Sequence, residues 1–371
     1  MKKTLLLLLA LCPLLCGCGS LYAQRQEVEE LRLMEAMGLD RAAGGVELSL
    51  AAAATEEEGS ACYRAVGANL ADALERLRSR APDPVLFCGH LRHVLIGENY
   101  ARVGLKDFLA AVCRSSDLRL DLPVYLLLDG TAGDAMAQAG DGEKGVVDAL
   151  NALAVPGEER PRLSTAGAIL RDLERRGCAL VRTLRLQESA ETTQQSAMTL
   201  VPAGYGVLVD GALRELIDPE DGVAAALLTE TLSPCPLVLT DEEGRAVTLE
   251  LQEGQVELRP VWDEKERLIG LELSVSVQAA VLGAEGVAPS LEDARLDALT
   301  ARLESELNQR IGRVLRLSRA LGADFLGLGH RLELQAPLRC RGLGQELGGL
   351  LNTLQLSVSV QGELRHSNDI T

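Results

Sequence analysis

The side chains that could do chemistry are few, and the first of them sit near the N-terminus. Leu15-Cys16-Gly17-Cys18 places a thiol in a frame with Leu at −3 and a small residue at −1. A Cys in that frame takes a diacylglycerol, and a peptidase then cuts in front of it. Cys18 fits; Cys16 does not, because bulky Leu15 stands at its −1 position. Met1-Lys2-Lys3 is a basic n-region and Leu5 to Leu11 an apolar h-region, well short of the ~20 residues that span a bilayer. Residues 1–17 are therefore expected to be a lipoprotein signal peptide and Cys18 the lipidated end of the mature chain. The alternative is an ordinary secretory signal cut near Ala23.

The other candidates are weaker. Beyond Cys12, Cys16 and Cys18, the remaining six of the nine cysteines (Cys62, Cys88, Cys113, Cys178, Cys235 and Cys340) are scattered. They form no CxxC pair and no Cys/His cluster at zinc spacing, so no metal or other cofactor is expected. Cys88, Cys113 and Cys178 lie within or beside apolar runs and read as small buried hydrophobes; one or two disulfides stay open. His90 and His93 are three apart with no third ligand nearby and read as structural or surface residues. Gly204-Tyr205-Gly206 and Gly327-Leu328-Gly329 start no strand–GxGxxG–helix unit and read as turns. Asp324 follows a long helix, where the dipole disfavours a carboxylate, so a hydrogen-bonding role in capping the Gly327–Gly329 turn is expected. No G-x-S-x-G elbow or assembled triad is visible, and nothing points to an enzyme.

Composition narrows the class further. The net charge is −17, and losing residues 1–17 removes only Lys2 and Lys3, leaving −19. Such a surface repels nucleic acid and anionic headgroups, so anchoring would come from acyl chains. Aromatics make up 2% of the chain and are spread out, which argues against a site of stacked rings and against tight small-molecule binding by this chain alone.

The elements that must position these residues divide the chain into several units. A hairpin is expected around Asp40 to Gly45, and a helix over about Tyr63 to Arg80 with Val66, Leu70, Ala73, Leu74 and Leu77 on one face. Short strands follow near Val85–Phe87 and Val94–Ile96, then a helix from Leu105 to Cys113 and a buried strand at Val124 to Leu128. Thr165 to Arg176 reads as a helix stopped by Gly177, and Cys178 to Leu186 as a strand. Polar residues near 187–200 read as a linker, with an N-terminal region 18–200, possibly of two lobes, and a C-terminal domain 201–371. In the latter, Val247 to Leu251 and Val256-Glu257-Leu258 alternate about a turn at Glu253-Gly254, and Leu271 to Val277 and Leu354 to Val360 repeat the pattern. The stripe Leu296, Leu299, Leu303, Leu307, Ile311, Val314, Leu321 marks a long amphipathic helix over Leu291 to Leu321, with Ser290 as N-cap. The fold class is α+β: multi-domain, mostly antiparallel sheets packed with helices.

Several stretches, in order, resemble one family. Glu27-Val28-Glu29-Glu30-Leu31 leads to Gly38-Leu39-Asp40, and a helix follows at Asn69 to Leu74. His90 to Leu105 carries a His-x-x-x-apolar-apolar-Gly-Glu-x-x-Ala-x-x-Gly-Leu pattern, and Arg114 follows the next helix. Gly206 to Leu213 and Gly322-Ala323-Asp324-Phe325-Leu326-Gly327-Leu328-Gly329 complete the set. The chain is similar to the Ger(x)C family of spore germination lipoproteins over nearly all of its mature length. It departs where that family usually has tryptophan, after the lipid Cys and between Pro337 and Leu354. The resemblance implies a non-enzymatic C subunit of a nutrient germinant receptor on the outer face of the inner spore membrane. It further implies A-type and B-type membrane subunits as partners, contact with the membrane through the lipid on Cys18, and no nucleic acid. A lipid-anchored solute-binding receptor of a transporter is the alternative.

Overall fold

The computed structural model describes residues 31–52, 61–80, 85–138, 145–153, 164–188, 198–241, 243–284 and 293–365. The chain begins with β1 (Leu31–Leu33), β2 (Ala36–Ala42), β3 (Gly45–Ala52), β4 (Ala61–Gly67), α1 (Leu70–Arg80) and β5 (Val85–Phe87). It continues with β6 (His93–Gly97), α2 (Glu98–Val103), α3 (Lys106–Arg114), β7 (Val124–Leu128), α4 (Ala132–Gln138) and α5 (Val146–Ala152). Then come α6 (Ala166–Arg176), β8 (Cys178–Glu188), β9 (Met198–Val209) and β10 (Ala212–Ile217). Eight of these strands form one mixed sheet in the order β10-β9-β8-β7-β6-β2-β3-β4, while β1 and β5 pair separately in parallel. The strand pairs β2–β6, β6–β7 and β7–β8 are parallel, each joined through helices, and the outer pairs are antiparallel hairpins.

The expected helix over Tyr63 to Arg80 begins later. Ala61–Gly67 is strand β4, in register with β3 from Ala52↔Ala61 to Val46↔Gly67, and Val66, expected on the helix face, is exposed at 41%. The break is chemical. Asn69 Oδ1 accepts from the Asp72 N–H at 3.0 Å, and Asp72 Oδ2 accepts from the Ala68 N–H at 2.8 Å. Asn69 thus satisfies one of the first amides of α1, Asp72 ties back to the residue before the cap, and Leu70, Ala73 and Leu77 are left inward. The expected division at 200 falls inside β9, so the large sheet reaches past it to Ile217.

The second unit holds α7 (Pro219–Leu228), β11 (Cys235–Thr240), β12 (Ala246–Trp262), β13 (Leu268–Ala284) and α8 (Asp293–Leu321). Two short helices, α9 (Leu328–Gln335) and α10 (Leu343–Leu350), lead to β14 (Gln355–Arg365). Its sheet runs β11-β12-β13-β14. The expected turn at Glu253-Gly254 does not form: β12 is one strand with a bulge. Register slips from Leu251↔Ala279 to Glu253↔Gln278, which moves the buried set from Val247, Leu249 and Leu251 to Val256 and Leu258. That change of parity looks like two strands in sequence, and the extra residue of a bulge produces it within one. β14 also departs from the antiparallel pattern, pairing in parallel with β13 from Gly270↔Gln355 onward. The 29 residues of α8 carry the chain back along the sheet, as a parallel pairing requires.

Three cores result. One face of the large sheet packs on α1, α2, α3 and α6; the other is covered by α4 and α5 at β6 and β7. At β8 and β9 that second face is covered differently. Cys178, Leu180, Tyr205 and Val207 enter the same core as Leu249, Leu258, Leu273 and Leu307 of the second unit. The two sheets therefore share apolar contacts and do not stand apart on a tether. Leu299, Leu303, Leu307 and Ile311 of α8 are at most 1% exposed, as the stripe predicts. Leu307→Ala is expected to cost about 2–5 kcal/mol, and Leu307→Asp, which buries an unpaired charge, to abolish the cooperative transition of the chain followed by circular dichroism. An unshifted melting curve for Leu307→Asp would contradict this packing.

Candidate functional site

Cys18 lies outside the described residues. Of the remaining candidates, the two histidines do not converge. His90 is exposed, whereas His93 is 6% exposed on β6. His93 Nε2 lies 3.0 Å from Asn151 Oδ1 of α5, and its ring is 6.1 Å from that of Tyr125. It is a core residue held between sheet and helix. No group of three or more His, Cys, Asp or Glu side chains is placed to hold a metal among the described residues. The six described cysteines are free; Cys88, Cys178 and Cys340 are buried, while Cys113, expected to be buried, is exposed at the end of α3. Burial pushes the Cys88 thiol up to about 11 and that of Cys178 up to about 12, so these two stay protonated and unreactive at neutral pH.

Asp324 does what its placement predicts. It is 2% exposed, and its two carboxylate oxygens accept from the N–H groups of Leu328 at 3.0 Å and Gly329 at 2.8 Å. Those amides are the orphan donors at the start of α9. Burial raises the carboxyl above its ordinary range, and the Gly329 N–H and the Arg176 guanidinium draw it back down. Arg176 belongs to the other unit, at the last turn of α6, where its Nη2 donates to Asp172 at 2.7 Å. Gly327 has φ +74°, and a Cβ there would run into Arg176 Nη1. Glycine at 327 thus allows an arginine of the large sheet's helix to lie directly on the turn that Asp324 ties. Beside it, Arg175 Nη1 is 3.1 Å from His330 Nε2.

Asp40 repeats the device inside the first unit. It is 4% exposed and accepts from Ala132 N–H at 2.8 Å and Gly133 N–H at 2.7 Å, tying the start of α4 to the end of β2. Its carboxyl too is raised, first by burial. Gly97 faces it, and any Cβ at that position would run into Asp40 Oδ1. The sequence places Asp40 at the start of the hairpin turn, whereas it lies within β2; an acid in a buried strand just before a turn is the signal.

A cavity of about 230 Å³ lies where the two units meet. Its floor is β8 and β9 (Arg182, Leu184, Pro202, Tyr205), and one face of α7 (Pro219, Gly222, Val223, Ala226) forms a wall. Gly204-Tyr205-Gly206, read as a turn, is instead part of β9 at a bulge. Register slips there between Arg182↔Tyr205 and Leu184↔Pro202, and Gly204 takes φ +92°. Bulges re-aim side chains beside sites. Arg182 and Tyr205 face the cavity, and the Tyr205 hydroxyl is reached by Arg182 and Thr231. The sequence signal for Arg182 was present: one cation inside the apolar strand Cys178-Ala179-Leu180-Val181-Arg182-Thr183-Leu184.

The Asp324 joint yields a direct test. Asp324→Ala leaves two buried N–H groups without acceptors and is expected to cost about 2–4 kcal/mol. Asp324→Asn, which keeps one acceptor, should cost less. Urea unfolding of the two variants measures the order, and equal stability of both with the parent chain would contradict the capping role.

Comparison with known proteins places this geometry. Residues 24–181 match the model of the spore germination protein N-terminal domain. The crystal structure of the GerBC protein superposes with a TM-score of 0.58 at 12% identity, over 88% of this chain and 96% of that one. No curated protein sequence matches. The matched domain ends within β8; residues 24–181 thus belong to the spore germination protein N-terminal family, and the fold of the chain is similar to that of GerBC through both sheets.

Proposed function

We propose that this chain is the lipid-anchored C subunit of a nutrient germinant receptor, standing on the outer face of the inner spore membrane and acting without catalysis of its own. The observation that carries the reading is positional. A spore germination domain begins at residue 24, six residues after the Cys18 of a lipoprotein frame. No described helix is long and apolar enough to cross a membrane, so acyl chains on Cys18 would supply the attachment. The subunit would join a polytopic B-type and an A-type membrane subunit and contribute assembly or coupling. The core shared by the two units suits that role, since it offers a displacement at one sheet a packed path to the other. A free solute-binding receptor would have two similar lobes around a cleft; here one sheet has eight strands and the other four.

Two measurements test this. A fatty-acid probe should label the parent chain and not Cys18→Ala; label retained by the variant would contradict anchoring at Cys18. Pull-down of the tagged full chain from spore membranes should bring the A-type and B-type subunits with it, and recovery of a permease and an ATPase instead would favour the solute receptor.

A further inference from the structure

We infer that the cavity between the two units is a binding site for a small monocarboxylate with an apolar body. The inference does not depend on lipid anchoring or on the partner subunits. Arg182 is the sole charged residue lining the cavity among the described residues. Its Nε is buried and without a hydrogen-bond partner, and no described carboxylate forms a salt bridge with it. A guanidinium on an apolar floor without a carboxylate partner is a standing cost, and a ligand carboxylate at the part of Arg182 that lines the cavity relieves it with charge-assisted hydrogen bonds. The Tyr205 hydroxyl, which Arg182 and Thr231 both reach, sits beside it as a further polar group.

The remaining wall selects the body of the ligand. Tyr125, Leu184, Pro202, Pro219, Val223 and Leu232 give it apolar contact, which an inorganic anion or a sugar cannot use. Two of the nine aromatic residues scattered through the sequence, Tyr125 and Tyr205, are thus brought to one place. The volume of about 230 Å³ is below the ~300–1,000 Å³ of drug-sized sites, so the ligand is short. The absence of any acidic lining residue among those described sets the last feature. An ammonium group would enter unpaired, so the site prefers a simple acid to a zwitterionic amino acid. Because the walls come from β8 and β9 on one side and α7 with Thr231 to Cys235 on the other, an occupied site would tighten the joint between the units.

The test uses the full chain in detergent with 4-methylpentanoate as probe, followed by saturation-transfer NMR and calorimetry. One-to-one binding with a Kd in the millimolar range or tighter is expected. 4-Methylpentanamide and leucine should each bind about tenfold or more weaker, the scale of a hydrogen bond to a charged group. Arg182→Gln should remove the preference for acid over amide. Val223→Trp, which fills the cavity from the α7 side without touching the arginine, should abolish binding while leaving the circular dichroism spectrum unchanged, so the proposal stands or falls even if Arg182→Gln fails to fold. Absence of binding at millimolar probe, equal affinity for acid and amide, or binding retained by Val223→Trp would each overturn it.

Discussion

The two faces of β8 and β9 are buried against different things, and the rest of the molecule is arranged around that fact. On one side Ala179, Val181 and Leu208 close the core under α6 and the other helices of the large sheet. On the other, Cys178, Leu180 and Val207 sink into the core of the second sheet. A strand apolar on both faces cannot be left at a surface. These few side chains therefore oblige the second unit to pack where it does, and the hydrophobic effect supplies the force without any directional bond. The directional bonds come at the edges of that contact.

Those edges are handled by buried acids and arginines. Asp40 and Asp324 are both almost fully buried carboxylates that tie two backbone amides at a helix start. Among the described residues neither forms a direct ion pair; the aligned N–H donors stabilise the charge, with Arg176 near the second. Arg176, held by Asp172, lies against Gly327, so the last turn of α6 meets the first turn of α9. One unit thus fixes the helix geometry of the other. Along α7, Arg313 on Asp221 and Arg310 on the Glu220 carbonyl do the same between α8 and the helix that roofs the cavity.

Much of this was legible in the residues, because burial and periodicity leave marks that do not depend on distant partners. The stripe of α8, the capping role of Asp324 and the strand at Val124–Leu128 follow from side-chain spacing alone. What was not legible depends on partners far along the chain. Tyr63–Gly67 has both a helical and an alternating reading, and pairing with β3 decides it. The bulge in β12 mimics a turn because an extra residue and a loop both invert parity. The parallel direction of β14 follows from the path of α8 and not from any property of the strand itself. Arg182 is not marked as a site residue by its spacing, since its significance lies in what α7 brings to it across the joint and in Tyr205 beside it.

If the two sheets share one core, the chain unfolds as one unit. Trp262 is the single tryptophan of the chain; it packs against the shared core, with Arg339 stacked 4.6 Å from its ring. It reports the second sheet alone, whereas far-UV circular dichroism reports both. The decisive measurement is urea unfolding of the full chain followed by both signals. Superimposable single transitions with a common midpoint are the result a shared core requires. A Trp262 transition displaced from the circular dichroism curve, or a two-step dichroism curve, would show two units that fold independently and would contradict it.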